Sequence, residues 1–281
     1  MNNIEAAPRS LAVPEPSPRP REQLWPIDMQ RIDRHLVSLV APDSFEAEQY
    51  RRLRHILEQM RRGAAGIVIA ICSPIAGDGK SVTAINLAGA LAQDEDVKVL
   101  LVDCDLRRRS ETLRRSLAMR DHDVGPGLTD AVANPAIGLP RITRLLPELN
   151  LAVVLTGEQG VVPYEALNSH KFAELIQEAR QHYDFIVLDA PPINPVSDCA
   201  LLANQVDGFL LVVAAHNTPR AMLEEALGLL DRRKLLGLLF NCSDQPSRRY
   251  YGYGGDYRRG RAPAIRHPSD IRRLPSGRAK E

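Results

Sequence analysis

Ser73-Pro-Ile-Ala-Gly77-Asp78-Gly79-Lys80-Ser81 is the stretch on which the reading of this chain turns. An apolar run, Ile67–Cys72, leads into it, and a helical pattern, Ser81–Ala92, leads away. Strand, glycine-bearing turn and helix N-terminus together form the context of a phosphate-binding loop. Gly77 and Gly79 let backbone N–H groups converge on phosphate oxygens with no Cβ in the way. Lys80 is suited to neutralise the β- and γ-phosphates of ATP, and the Ser81 hydroxyl to ligate Mg²⁺. Asp78 and Val82 complete the candidate nucleotide-binding set. A common form of the motif, G-x-x-x-x-G-K-[ST], opens on glycine; Pro74 stands there, so this loop is a variant.

Two more apolar strands end in aspartate. Val97–Val102 runs into Asp103-Cys-Asp105-Leu-Arg107, and Phe185–Leu188 runs into Asp189-Ala-Pro191-Pro192. In an open α/β sheet, ligands bind beyond the carboxyl ends of the strands. An Asp after a strand is by itself more often a helix cap or a turn residue. Asp103, Asp105 and Asp189 together with a phosphate loop point to a site where carboxylates and Ser81 hold Mg²⁺ partly through water. Lys80, Asp103, Asp105 and Asp189 are the catalytic candidates, and ATP hydrolysis or phosphoryl transfer by positioning and charge neutralisation is the leading chemistry.

Further strand-sized runs are Leu151–Leu155, Phe209–Val213 and Leu235–Phe240, and helical patterns cover Lys171–His182, Cys199–Ala203 and Arg220–Asp231. Near-continuous apolar runs are expected of strands buried on both faces. The alternation predicts an α/β fold: a mostly parallel sheet flanked by helices on both faces, of the P-loop NTPase type. From Asp43 to Arg62, Tyr50, Leu53, Leu57 and Met60 recur at helical spacing.

The two ends differ from this core. Six prolines fall within the first 26 of 281 residues, and the expectation is a disordered segment and linker over residues 1–42. Residues 43–243 then form the catalytic domain, and 244–281 a flexible tail rich in Arg, Gly and Tyr. The chain has only seven tyrosines, yet Tyr250, Tyr251, Tyr253 and Tyr257 crowd into eight residues. Between Arg248 and Arg273 eight arginines face two aspartates, a net of +6, although the whole chain carries only +1. Four scattered cysteines lack metal-like spacing, and three of them read as buried thiols. No apolar run approaches the roughly 20 residues of a membrane span, and no signal-peptide pattern opens the chain, so a cytoplasmic location is expected.

With these motifs the sequence resembles the bacterial tyrosine kinases of capsule and exopolysaccharide systems, over about residues 43–257. Their fold is a deviant Walker-type ATPase. The resemblance rests on the variant loop, on Leu101-Val-Asp103-Cys-Asp105-Leu-Arg107, on Asp189-Ala-Pro191-Pro192, and on Val206-Asp207-Gly208-Phe-Leu-Leu-Val-Val with Gly237-Leu-Leu-Phe-Asn241. It also rests on Glu48-Gln-Tyr-Arg51-Arg-Leu-Arg54, the family's E-x-x-R-x-x-R pattern. The resemblance implies that Glu48, Arg51 and Arg54 assemble a homo-oligomeric ring; the spacing alone favours a solvated charged helix face. In related nucleotide-binding folds an Asn at the position of Asn241 reads adenine. Two departures stand out: Gly160–Ser169 only partly preserves the family's turn before a Glu-Leu-Leu helix, and the tail runs 24 residues past Tyr257.

The resemblance further implies autophosphorylation in trans, with Tyr250, Tyr251, Tyr253 and Tyr257 as acceptors and Asp103 taking the phenol proton. It implies an activating membrane polysaccharide co-polymerase on a separate chain, which would recruit the kinase to the inner face of the membrane. A cognate tyrosine phosphatase and other protein substrates are possible partners; none is expected to be nucleic acid, although an Arg/Gly/Tyr tail alone would suit one. The alternative function is a septum- or chromosome-positioning ATPase acting as a nucleotide-dependent dimer switch. Those proteins carry a lysine five residues before the loop lysine, followed by glycine; here these positions are Ile75 and Ala76.

Overall fold

The computed structural model describes residues 23–243, apart from 62, 64, 108–109, 120–124, 159 and 195–197. Among the described residues, eight strands form one sheet: β1 (Gln23–Leu24), β2 (Ile67–Cys72), β3 (Val99–Asp103), β4 (Thr143–Leu146), β5 (Leu151–Val154), β6 (Phe185–Asp189), β7 (Gly208–Ala214) and β8 (Leu235–Asn241). The order is β1-β4-β5-β3-β6-β2-β7-β8, and every neighbouring pair is parallel except β4–β5. The helices are α1 (Val37–Val40), α2 (Phe45–Met60), α3 (Lys80–Ala92), α4 (Glu111–Ser116), α5 (Leu128–Ala133), α6 (Leu139–Ile142), α7 (Pro163–Leu167), α8 (His170–His182), α9 (Asp198–Leu201) and α10 (Arg220–Leu229).

Period-two alternation divides the strand residues between two cores. Ile67, Ile69, Ile71, Leu101, Val187 and Val212 point to one face, where Leu57 of α2, Ile85, Leu87 and Leu91 of α3 and Leu113 of α4 cover them. Val68, Ala70, Leu100, Val102, Ile186 and Leu211 point to the other, under Phe172 and Ile176 of α8 and Ala226 of α10. Local chemistry fixes the long helices. Ser44 caps α2 by accepting from Ala47 N–H at 3.1 Å, with Glu46 and Glu48 in the first turn. Ser169 caps α8 by accepting from Phe172 N–H at 3.0 Å, and Arg180 and His182 lie in the last turn. α3 is buried on nearly every side because α1 and α2 cover its outer face; a Cβ on Gly89 would lie 2.4 Å from the Leu39 side chain.

Two expectations are corrected here. Disorder through residue 42 does not hold from residue 23 onward. β1 pairs with β4, Trp25 N–H donates to Leu145 O at 2.8 Å, and the Arg144 guanidinium lies 4.7 Å from the Trp25 ring centroid. Asn86 of α3 then ties down the segment ahead of α2: its Nδ2 donates to His35 O and its Oδ1 accepts from Ser38 N–H, both at 2.9 Å. Ile32 and Leu36, beyond Pro26, carry enough apolar surface to dock. The second correction concerns Leu235–Phe240. β2, β3, β5, β6 and β7 are buried throughout, whereas in β8 Leu238 and Phe240 are exposed, because β8 is an edge strand with β7 as its neighbour. The pattern behind β4 and α4–α6 goes unread in the sequence because segments of four to six residues show too few periods.

Candidate active site

The loop Ser73–Gly79 leaves the carboxyl end of β2 between β6 and β7 and enters α3 at Lys80. Gly77 and Gly79 take φ of 95° and 93°, left-handed values that glycine adopts without strain. At Gly79 a Cβ would lie 2.1 Å from Asn241 Nδ2. The loop is held from beneath by Asp78, whose side chain is fully buried. Its Oδ1 accepts from Thr218 Oγ1 at 2.8 Å and from Asn217 Nδ2 at 3.3 Å; its Oδ2 accepts from Ile75 N–H at 3.3 Å. Asn241, the last residue of β8, donates from Nδ2 to Asp78 O at 3.0 Å. The turn after β7 and the end of β8 thus clamp the phosphate loop.

The three carboxylates meet Lys80. Asp103 and Asp189 are register partners at the ends of β3 and β6. Asp105 follows two residues on, and its N–H donates to Asp103 Oδ1 at 3.0 Å. Lys80 Nζ donates to Asp105 Oδ2 at 2.8 Å and lies 3.8 Å from Asp189 Oδ1. All four side chains are buried. Burial alone would lower the Lys80 pKa, but the Asp189 and Asp105 carboxylates outweigh it and hold the ammonium above its ordinary range. Asp103 faces the opposite situation: burial first, and the Asp189 charge second, push its pKa up to about 8. One ammonium among three desolvated carboxylates leaves a surplus of negative charge on hard oxygen donors, which fits a divalent cation such as Mg²⁺.

This geometry matches what the chain is similar to. The model of a family described as an AAA domain matches residues 66–217, from the entry to β2 through the turn after β7. Tyrosine-protein kinase YwqD of Bacillus subtilis is 33% identical over 230 residues, which cover 80% of this chain and 93% of that one. The chain belongs to the bacterial tyrosine kinases. Succinoglycan biosynthesis transport protein ExoP of Rhizobium meliloti is 32% identical over 76% of this chain, which spans only 27% of that longer protein. Among solved structures, the chimerical protein CapA2B2 superposes with a TM-score of 0.66 at 26% identity, covering 79% of this chain and 95% of that one. The P-loop NTPase fold and a nucleotide site follow for this bacterial tyrosine kinase.

Of the residues singled out in the sequence, Gly77, Asp78, Gly79, Lys80, Ser81, Val82, Asp103, Asp105, Asp189 and Asn241 all lie at this end of the sheet. Asn241 is placed at the phosphate loop rather than in an open base pocket. Its Nδ2 is engaged by Asp78 O and its Oδ1 accepts from Cys242 N–H at 2.9 Å, so contact with adenine requires its release. Glu48, Arg51 and Arg54 lie elsewhere, along α2. Arg51 donates to Glu48 Oε2 at 2.9 Å and to Pro42 O at 2.6 Å. Arg54 donates to Ala90 O and to Asp94 Oδ2, both at 3.2 Å, and so fastens α2 to α3 within the chain. The four tail tyrosines lie outside the described residues. Cys72, Cys104 and Cys199 are buried and Cys242 is exposed.

Sequence reading missed the supports of the site. Thr218 and Asn217, which hold Asp78, carry no motif. Nor does Asp198, a buried carboxylate that accepts from Arg107 Nε at 2.9 Å. Arg107 was legible as part of the Asp-x-Asp-x-Arg run; its partner lies 91 residues away and emerges only from the fold.

Proposed function

We propose that this chain is an ATP-dependent protein-tyrosine autokinase of a capsule or exopolysaccharide system, acting in trans on its own C-terminal tyrosines. The observation that carries the proposal is the Lys80 ammonium between Asp105 and Asp189, with Asp103 in register beside them. Gly77, Asp78, Gly79, Lys80, Ser81 and Val82 cradle the phosphates of ATP. Lys80, released from Asp105, meets the β- and γ-phosphates. Ser81, Asp105 and Asp189 hold Mg²⁺, which supplies neutralisation of the developing phosphate charge. Asp103, ionised where a bound cation offsets the charge of its neighbouring carboxylates, accepts the phenol proton as the tyrosine oxygen bonds to the γ-phosphorus; the bond from phosphorus to the bridging oxygen breaks, and ADP leaves.

The tail supplies the acceptors, Tyr250, Tyr251, Tyr253 and Tyr257. Each phosphate adds roughly −1.5 to −2, so four would contribute about −6 to −8 against the tail's net +6. That reversal loosens tail-mediated contacts between subunits of a ring in which Glu48 and Arg51 face the neighbouring copy. ExoP carries the matched region inside a much longer protein. This supports a membrane co-polymerase as the activator that recruits the present chain to the inner face of the membrane. Among the described residues no helix is long and apolar enough to cross one. The dimer-switch alternative lacks its crossing lysine, since Ile75 occupies that position. Phosphotyrosine formed from labelled ATP by the chain in its host, and lost in Lys80→Met, supports the kinase; free phosphate without phosphotyrosine supports the switch.

A further inference from the structure

Asn241 closes β8, and its side-chain amide is held at both ends. Nδ2 donates to Asp78 O at 3.0 Å, and Oδ1 accepts from Cys242 N–H at 2.9 Å. A carbonyl can only accept and an N–H can only donate, so these two partners fix which way round the amide stands. Cys242 makes its contact from a φ of 55°, in the left-handed region that residues with a Cβ rarely enter. The Asn241 main chain is tied to the same place. Its carbonyl accepts from Ala215 N–H at 2.8 Å, at the start of the turn that carries Asn217 and Thr218, and Thr218 Oγ1 accepts from Ala214 N–H at 3.0 Å. Asp78 is therefore gripped twice, by its carboxylate from the turn after β7 and by its carbonyl from the end of β8.

The second grip acts on one peptide plane. A trans peptide is planar, with its C=O and N–H pointing opposite ways. Holding Asp78 O against Asn241 turns the Gly79 N–H to the other side of the loop, where a phosphate would sit. Gly79 does not fix that plane by itself. With φ 93° and no Cβ it lets the peptide rotate at little steric cost, and a Cβ would lie 2.1 Å from Asn241 Nδ2. The position that must be glycine for the amide to pack is thus the position that needs the amide to hold it. We propose that Asn241 is a positioning residue for the phosphates of ATP: it orients the Gly79 N–H and does not read the adenine base. The inference rests on the reading of Ser73–Ser81 as the cradle for those phosphates.

Binding of ATP and of purine riboside triphosphate separates the two roles. The analogue has the same ribose and phosphates but lacks the 6-amino group through which an asparagine recognises adenine. Isothermal titration with Mg²⁺ measures both ligands on the full parent chain and on its Asn241→Ala and Asn241→Asp variants. Asn241→Asp keeps the acceptor for Cys242 N–H but sets an oxygen against Asp78 O. Leu236→Ala, at the far end of β8, is the control for damage to the strand. Asn241→Ala is expected to weaken both ligands about two- to ten-fold, the range of one lost hydrogen bond, and Asn241→Asp to weaken both further. The ratio between the ligands should stay within about two-fold of the parent's. Leu236→Ala should melt lower and bind both ligands as the parent does. An unchanged affinity for the analogue, with that for ATP falling to meet it, makes Asn241 a base reader and overturns the proposal while leaving the phosphate cradle intact. Parental affinity for both ligands in Asn241→Asp also overturns it. So does an equal loss in Leu236→Ala, which assigns the effect to the strand. A parent chain that binds neither triphosphate overturns the reading of the cradle together with the proposal.

Discussion

Asp103→Asn is expected to stabilise the nucleotide-free chain while abolishing phosphotransfer. Asp103 is buried in register with Asp189, beside Asp105, with Lys80 as the ammonium that compensates all three. Burial and the Asp189 charge raise its pKa from 3.8 to about 8. A group whose folded value exceeds its unfolded one takes up a proton on folding. Its contribution is therefore most favourable at low pH and is lost as the pH rises through the folded value. At pH 7 the folded state must hold a proton that the unfolded chain has released. At about 1.4 kcal/mol for each pH unit above 3.8, the cost is about 4 kcal/mol. Asparagine carries no charge and keeps an oxygen for the Asp105 N–H, so the substitution removes most of that cost. At about 2–4 °C per kcal/mol for a domain of this size, the gain in melting temperature is on the order of 10 °C. Thermal unfolding of both chains from pH 5 to 8.5, with chelator and without nucleotide, measures it. The parent should lose stability towards pH 8 more steeply than the variant, and the variant should melt higher at pH 7. Parallel pH profiles, or a variant less stable at pH 7, would refute the electrostatic reading of the site.

Three other outcomes follow from the same geometry. Lys80→Met leaves three buried carboxylates without their ammonium and is expected to cost about 3–5 kcal/mol of stability as well as all transfer, with the loss read by denaturant unfolding and partly restored at acid pH. Thr218→Val removes a donor to Asp78 and frees one side of the phosphate loop; ATP affinity should fall about three- to ten-fold in isothermal titration, with a stability loss of about 1 kcal/mol. Arg54→Ala should destabilise the isolated subunit by about 1–2 kcal/mol in chemical unfolding, because its guanidinium bonds Ala90 O and Asp94 on the α3 side; a variant that only changes oligomer size would contradict that intramolecular role.

The site's chemistry was legible because it is written in contiguous runs. A glycine-bearing loop after an apolar strand, and aspartates directly after two others, keep their meaning wherever the strands lie in the sheet. The parallel sheet was legible for the same reason: β2, β3, β6 and β7 are buried on both faces and so are nearly continuous apolar runs. The missing parts depend on contacts between distant segments. Asp78 meets Thr218 across 140 residues, Asn241 reaches Asp78 across 163, and Ser110 meets Thr156 across 46. The docked arm at residues 23–42 was misread because proline spacing was extended past Pro26, although Trp25, Ile27, Ile32 and Leu36 carry its anchoring surface.

Transfer in trans to the tail is tested most directly by mixing two disabled chains in the host cell. One is Lys80→Met, which keeps its tyrosines; the other has Tyr250, Tyr251, Tyr253 and Tyr257 changed to Phe and keeps its active site. Distinct tags allow each chain to be recovered and its phosphotyrosine measured. Phosphotyrosine on the tail of the Lys80→Met chain, and only when the partner chain is present, is the predicted result. Phosphotyrosine absent from that tail, in a host where the parent chain is phosphorylated there, would contradict transfer between subunits.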